Sequence, residues 1–198
     1  MSDLRRATLI PIDLQQAFDH APYGRERRNN PGLEANGQRL LAAWRERGAP
    51  LVHVRHDSIQ PGSTLQPGQP GNHFRPGFEP LPGEAIVPKS VNAAFIGTDL
   101  DLRLRRLGVS TLVLFGLSTD MCVSTTARVA ANLGYEVVVV GDACACFALP
   151  DGAGAEIPAE AIHRAHLATL RAEFARVLDT AGVLAQLAGD ESRLQVTA

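Results

Sequence analysis

The stretch TLVLFGLSTDMCVSTTARVAANLG, residues 111–134, decides the fold. Its first seven residues are apolar and rich in chain-stiffening side chains, the length and composition of a strand, whereas Val123, Thr126, Ala127, Ala130 and Leu133 recur at helical spacing until Gly134 ends them. A strand, a tight polar turn and a helix start therefore meet at Ser118–Cys122. Cys122 falls at or near a helix N-terminus, where unpaired N–H groups and the positive end of the dipole favour a thiolate, the nucleophilic form of cysteine. A lone cysteine is ordinarily a small buried hydrophobe. What its neighbours in the fold contribute decides between the two readings.

Outward from this unit the same alternation repeats. ATLIPID (7–13), PLVHVRH (50–56), AIVPK (85–89) and EVVVVGDA (136–143) read as further strands, with a weaker sixth in ARVLD (175–179). Helical periodicity occupies 33–48, 98–107, 122–133 and 159–174, and 180–188 reads as a short terminal helix capped by Thr180. Such alternation implies an α/β fold: a single-domain, doubly wound, Rossmann-like sheet of six parallel strands with helices on both faces. The unbroken apolar run Val137–Val140 agrees, because a parallel sheet is buried on both sides. One domain accounts for residues 1–198, with its core at about 7–185.

Residues 57–84, DSIQPGSTLQPGQPGNHFRPGFEPLPGE, break the rhythm with six prolines and five glycines and show neither period. Loops of that length in a compact domain are lids, binding loops or interface arms. This one leaves the end of the second strand and returns to the start of the third, so its root lies over the C-terminal edge of the sheet. Asn72, His73, Phe74 and Phe78 mix hydrogen-bonding and apolar groups as a small-ligand pocket requires.

A formal charge of −2 over 198 residues leaves no electrostatic footprint for nucleic acid or an anionic membrane. No segment approaches the roughly 20 apolar residues of a membrane span, and the apolar stretch in MSDLRRATLIPIDLQQ is too short for a secretory signal. Three cysteines is an odd number, and Cys144 and Cys146 lack zinc or thioredoxin spacing. A cytoplasmic protein is expected, with a small-molecule substrate and a second copy of itself as partners, as a homodimer or homotetramer. Neither G-x-G-x-x-G nor G-x-x-x-x-G-K-[ST] opens a helix, which disfavours a nucleotide-binding or regulatory module on the same sheet, and no cofactor is expected.

In open parallel sheets, ligands bind outside the carboxyl ends of the strands, where strand order reverses. Asp13 ends the first strand, Lys89 ends the third, and Cys122 follows the fourth after a short turn. Singly, a strand-end aspartate is a turn former and a lysine is a solvated charge. Together they make an acyl-transfer set: Asp13 takes the thiol proton, Lys89 offsets the added negative charge, and N–H groups of the turn before Cys122 face a tetrahedral oxyanion.

The strings IDLQQAF (12–18), VHVRHDS (52–58), PKSVNAAFIGTDLDLRL (88–104) and GLSTDMCVSTTARVAANLGYEVVVVGDA (116–143), in this order, resemble the isochorismatase-like cysteine hydrolases over about residues 7–185. That superfamily includes nicotinamidase, N-carbamoylsarcosine amidohydrolase, ureidoacrylate and biuret hydrolases, and isochorismatase. The resemblance implies the triad Asp13, Lys89 and Cys122, and an oxyanion hole of the Ser118 and Cys122 N–H groups at a cis peptide between Leu117 and Ser118. It also points to Gln15, Phe18, His56, Phe95 and Leu117, beside Asn72 of the loop, as substrate-binding positions.

Two departures bear on the chemistry. Nicotinamidases carry Asp-x-His after the second strand and a later histidine as metal ligands, whereas this chain has Arg55, His56, Asp57 and Ser58 there. His53 and His56 face opposite sides of a strand, and His163 and His166 share a helix face without a further donor, so no metal is expected. True isochorismatases cleave a vinyl ether without a cysteine nucleophile, and Cys122 favours the amidase side. The expectation is a metal-free cysteine amidohydrolase acting on a small carboxamide or ureido C–N bond. An isochorismatase-type ether hydrolase and a catalytically silent binding relative are the alternatives.

Overall fold

The computed structural model describes residues 4–20, 23–24 and 28–189. Its main sheet is built from β1 (Thr8–Ile12), β2 (Val52–His56), β3 (Ala85–Lys89), β4 (Thr111–Leu117), β5 (Glu136–Ala145) and a last short strand. A two-strand hairpin, β6 (Leu149–Pro150) with β7 (Glu156–Ile157), stands apart, and β8 (Arg176–Leu178) completes the sheet. All pairings in the six-stranded sheet are parallel, in the order β3-β2-β1-β4-β5-β8. The helices are α1 (Leu33–Glu46), α2 (Leu100–Arg106), α3 (Ser124–Asn132), α4 (Ala159–Glu173) and α5 (Thr180–Ala188). α1 packs with α5 on one face and α3 with α4 on the other, so the sheet is doubly wound.

Every residue of β1 and β4 is buried, as central strands covered on both faces must be. The chain runs outward from β1 through β2 to β3 and then returns to β4 on the other side of β1, so the order reverses between β1 and β4. A crevice opens there, between the residues that follow Ile12 and those that follow Leu117. At this point β4 pairs irregularly with β5: Leu114 opposes Val139, but Gly116 opposes Cys144. Gly116 has φ 131°, and a Cβ there would lie 2.1 Å from the Ile12 carbonyl oxygen, so only glycine lets the two strand ends close up.

One expectation is corrected. The terminal helix is capped by Asp179, whose carboxylate accepts from the Gly182 N–H at 2.7 Å, rather than by Thr180. Thr180 is the first helical residue and turns its hydroxyl to the half-buried Asp142 carboxylate at 2.8 Å, which also accepts from the Thr180 N–H at 2.7 Å. The 57–84 segment is also more firmly built than its composition suggests. Phe78 is fully buried and sits so close to Gly37 of α1 that a Cβ there would come within 2.8 Å of its ring. Arg75 is buried and pairs with Asp19 and with Glu34, the latter at 2.8 Å. The Asn72 amide donates to the carbonyls of His56 and Leu65 and to Asp57. These contacts tie residues 72–78 into the domain and leave residues 58–65 over the crevice.

Candidate active site

Asp13 leaves the end of β1 in a left-handed conformation, φ 52°, which aspartate tolerates better than most residues. Its N–H still donates to Val54 on β2 at 3.0 Å, so the carboxylate is carried by backbone fixed on both sides. Lys89, the last residue of β3, opposes His56 of β2, and its side chain runs beneath the end of β2 to reach Asp13. Cys122 lies in one turn of π-helix, Thr119–Val123, which leads into α3.

The three side chains meet. Lys89 Nζ donates to Asp13 Oδ2 at 2.6 Å, to Cys122 Sγ at 3.3 Å and to His56 Nδ1 at 3.0 Å. Lysine and aspartate side chains are both wholly buried, so the ion pair is held in a medium where its attraction is strong and where neither charge has a substitute partner. Asp13 Oδ1, the oxygen that Lys89 does not use, is buried without a hydrogen-bond partner. The peptide bond between Leu117 and Ser118 is cis.

The electrostatics correct one expectation. Burial first, and then the Asp13 carboxylate, push the Cys122 thiol far above its ordinary range, while the Lys89 ammonium opposes them. The helix-terminus effect is outweighed by desolvation, and the resting residue is a thiol beside a carboxylate. Because a raised pKa keeps the group protonated as pH climbs, alkylation of Cys122 by a neutral haloacetamide should still be accelerating from about pH 7 to about pH 9. A plateau below about pH 8 would show a resting thiolate. His56 is held neutral by burial and by the Lys89 charge, which lower its pKa. An ammonium can only donate, so Nδ1 is the acceptor and Nε2 carries the proton.

These groups open on a cavity of about 550 Å³. Of the positions expected to bind substrate, Phe18 and His56 line it, with Asp13, Ser118 and Cys122. Gln15 does not: its amide donates to the carbonyls of His56 and Asn72 and accepts from the His56 N–H, a strut between β1, β2 and the long loop. Asn72 is likewise spent on internal bonds, Phe95 stacks on Tyr135 away from the cavity, and Leu117 is fully buried. Sequence reasoning missed Tyr23, Asn92, Asp120 and Phe147, which the fold brings in from four separate segments. The Asn92 side chain approaches Cys122 Sγ at 3.7 Å.

Among the described residues, a metal of the nicotinamidase kind finds no matching donor set after β2. Asp57 is occupied by Arg55 at 2.8 and 2.9 Å and by Asn72 at 2.9 Å. Asp13, His56 and Cys122 do bring donor atoms within 4.8 Å of one another. The Lys89 ammonium is bonded to all three, so a cation of the chain's own already serves that set.

Comparison with known proteins agrees with this architecture. The isochorismatase domain family model matches residues 7–182. An uncharacterised isochorismatase family protein of Bacillus subtilis, YrdC, is 38% identical over 88% of this chain and 92% of its own. The crystal structure of a hydrolase of the isochorismatase family from Chromobacterium violaceum is 44% identical, with TM-score 0.89 over 93% of this chain and 95% of that one. A cysteine hydrolase from Pseudomonas syringae pv. phaseolicola is 26% identical, with TM-score 0.85 over 96% and 95%.

Proposed function

The chain belongs to the isochorismatase family, and from that premise we propose that it is a cysteine-dependent amidohydrolase that cleaves the C–N bond of a small carboxamide or ureido substrate. One observation carries the reading: a buried lysine holds one oxygen of Asp13 and the sulfur of Cys122 together, while the other oxygen of Asp13 stays unpaired. A carboxylate so placed is a base for the thiol, and the ammonium between them is its counterion.

Substrate binding drives water from the cavity and sets a carbonyl carbon against Sγ. Asp13 then removes the thiol proton as sulfur attacks, and the negative charge passes from thiolate to carbonyl oxygen. The N–H groups of Ser118 and Cys122 are the proposed donors to that oxyanion. Collapse of the tetrahedral adduct breaks the C–N bond, Asp13 returns the proton to the leaving nitrogen, and an acyl thioester remains. Asp13 next activates a water, which releases the acid and restores the thiol. Lys89 bridges Asp13 and the sulfur, and His56, by accepting from Lys89, fixes the direction of its head group.

A panel of aliphatic amides, nicotinamide, carbamoyl amino acids, biuret-like ureides and maleamate tests the reading. Release of ammonia or a small amine from at least one member is expected, with nicotinamide low because Asp57 is not available to hold a metal. No release from any member, together with cleavage of isochorismate to pyruvate by both wild type and Cys122→Ser, would replace it with the ether-hydrolase reading.

A further inference from the structure

The cavity has a charge character that its catalytic groups do not explain. Asp13 and Lys89 neutralise one another at its base. Among the described residues, the remaining ionised side chain in the lining is Asp120, and no arginine or other lysine faces the space. Asp120 Oδ1 is buried and has no hydrogen-bond partner. No donor of the chain offsets that oxygen, so the carboxylate keeps its charge for a cation that reaches its cavity side.

The walls suit the same group. Phe18, Tyr23 and Phe147 form an aromatic cluster along one side, with ring centroids 4.8, 5.6 and 6.1 Å apart. Aromatic faces attract cations and repel anions. His56, neutral for the reasons given above, supplies no countercharge for an anion.

Building on the amidohydrolase reading, we propose that the cavity selects amides bearing a positively charged nitrogen remote from the scissile carbonyl, with Asp120 as the specificity-determining residue. Carboxylate-bearing amides are selected against, because their anion would meet the like charge of Asp120 and the aromatic cluster. The cationic end donates to Asp120 while the amide carbon lies at Cys122, two residues away on the same π-helical turn.

Two measurements test this, one of them independent of turnover. Methanethiosulfonate reagents with ammonium or sulfonate ends modify thiols, and peptide mapping isolates Cys122 from the fully buried Cys144 and Cys146. After normalisation to a small free thiol, the ammonium reagent should modify Cys122 at least about tenfold faster than the sulfonate one. In Asp120→Asn that ratio should fall to within about threefold, with Asp120→Ser as the second variant and circular dichroism confirming the fold of both. A ratio near one in the wild type, or one unchanged in both variants, would overturn the proposal.

In turnover, ω-amino alkanamides should exceed unsubstituted amides and ω-carboxy half-amides of equal chain length in kcat/KM, and Asp120→Asn should level the series. Half-amides as good as amino amides would overturn the charge selection while leaving the amidohydrolase reading intact. Charge-selective labelling with no amide hydrolysed would do the reverse.

Discussion

Replacing Cys122 by alanine should lower amide turnover by about four orders of magnitude or more, because the step that splits the reaction into two easier ones disappears with the sulfur. The fold should survive. Cys122 is a small side chain at the cavity wall, and its loss removes a single sulfur atom from contact with Lys89 and Asn92. The signature sought is therefore a collapse of kcat at nearly unchanged thermal midpoint and substrate affinity. Cys122→Ser should fall almost as far, since Asp13 would have to deprotonate a far weaker acid than a thiol. Near-normal turnover of Cys122→Ala on any amide would remove sulfur from the mechanism.

The second large effect lies in the ion pair and separates stability from catalysis. Lys89→Met strands a wholly buried Asp13 carboxylate, and Asp13→Asn strands the Lys89 ammonium. Breaking one side of a buried pair costs about 3–5 kcal/mol, mostly for the charge left behind. Each single variant should lose about that much in urea unfolding and at least about a thousandfold in turnover. The double variant Asp13→Asn/Lys89→Met leaves no orphaned charge. It should regain at least about 1 kcal/mol over either single variant and recover no activity. Additive losses of stability would mean that the two groups do not depend on one another in the fold.

Much of this architecture is legible in the chain because its elements are set locally. Strands such as 111–117 and 85–89 are bounded as their composition implies, and the helices agree to within a few residues. The rule that ligands gather where strand order reverses then selects Asp13, Lys89 and Cys122 from sequence alone. What escapes is whatever depends on distance or competition. His56 joins Lys89 only through the register of β2 against β3, and the strand pattern alone does not show that its ring turns to a lysine. Asn72 and Phe78 have the composition of a pocket, yet tertiary packing spends Asn72 on the His56 and Leu65 carbonyls and buries Phe78 against α1. The thiolate expected at a helix start gives way to burial, a term that needs the folded surroundings to be known. Asp120 lies within the stretch that decides the fold, but nothing in its spacing indicates that one of its oxygens is buried without a donor.

The measurement closest to the heart of the mechanism is rapid-quench intact-mass spectrometry on a turning-over amide, followed by peptide mapping. A covalent route through sulfur requires an adduct equal in mass to the acyl part of the substrate on the peptide containing Cys122, rising and decaying with turnover and absent from Cys122→Ala. Slowing deacylation with a poor water-attack substrate, or trapping with hydroxylamine as the hydroxamate, should raise its yield or release it. Amide hydrolysis at full rate with neither an adduct nor a hydroxamate, or with the adduct on another residue, would contradict nucleophilic catalysis by Cys122.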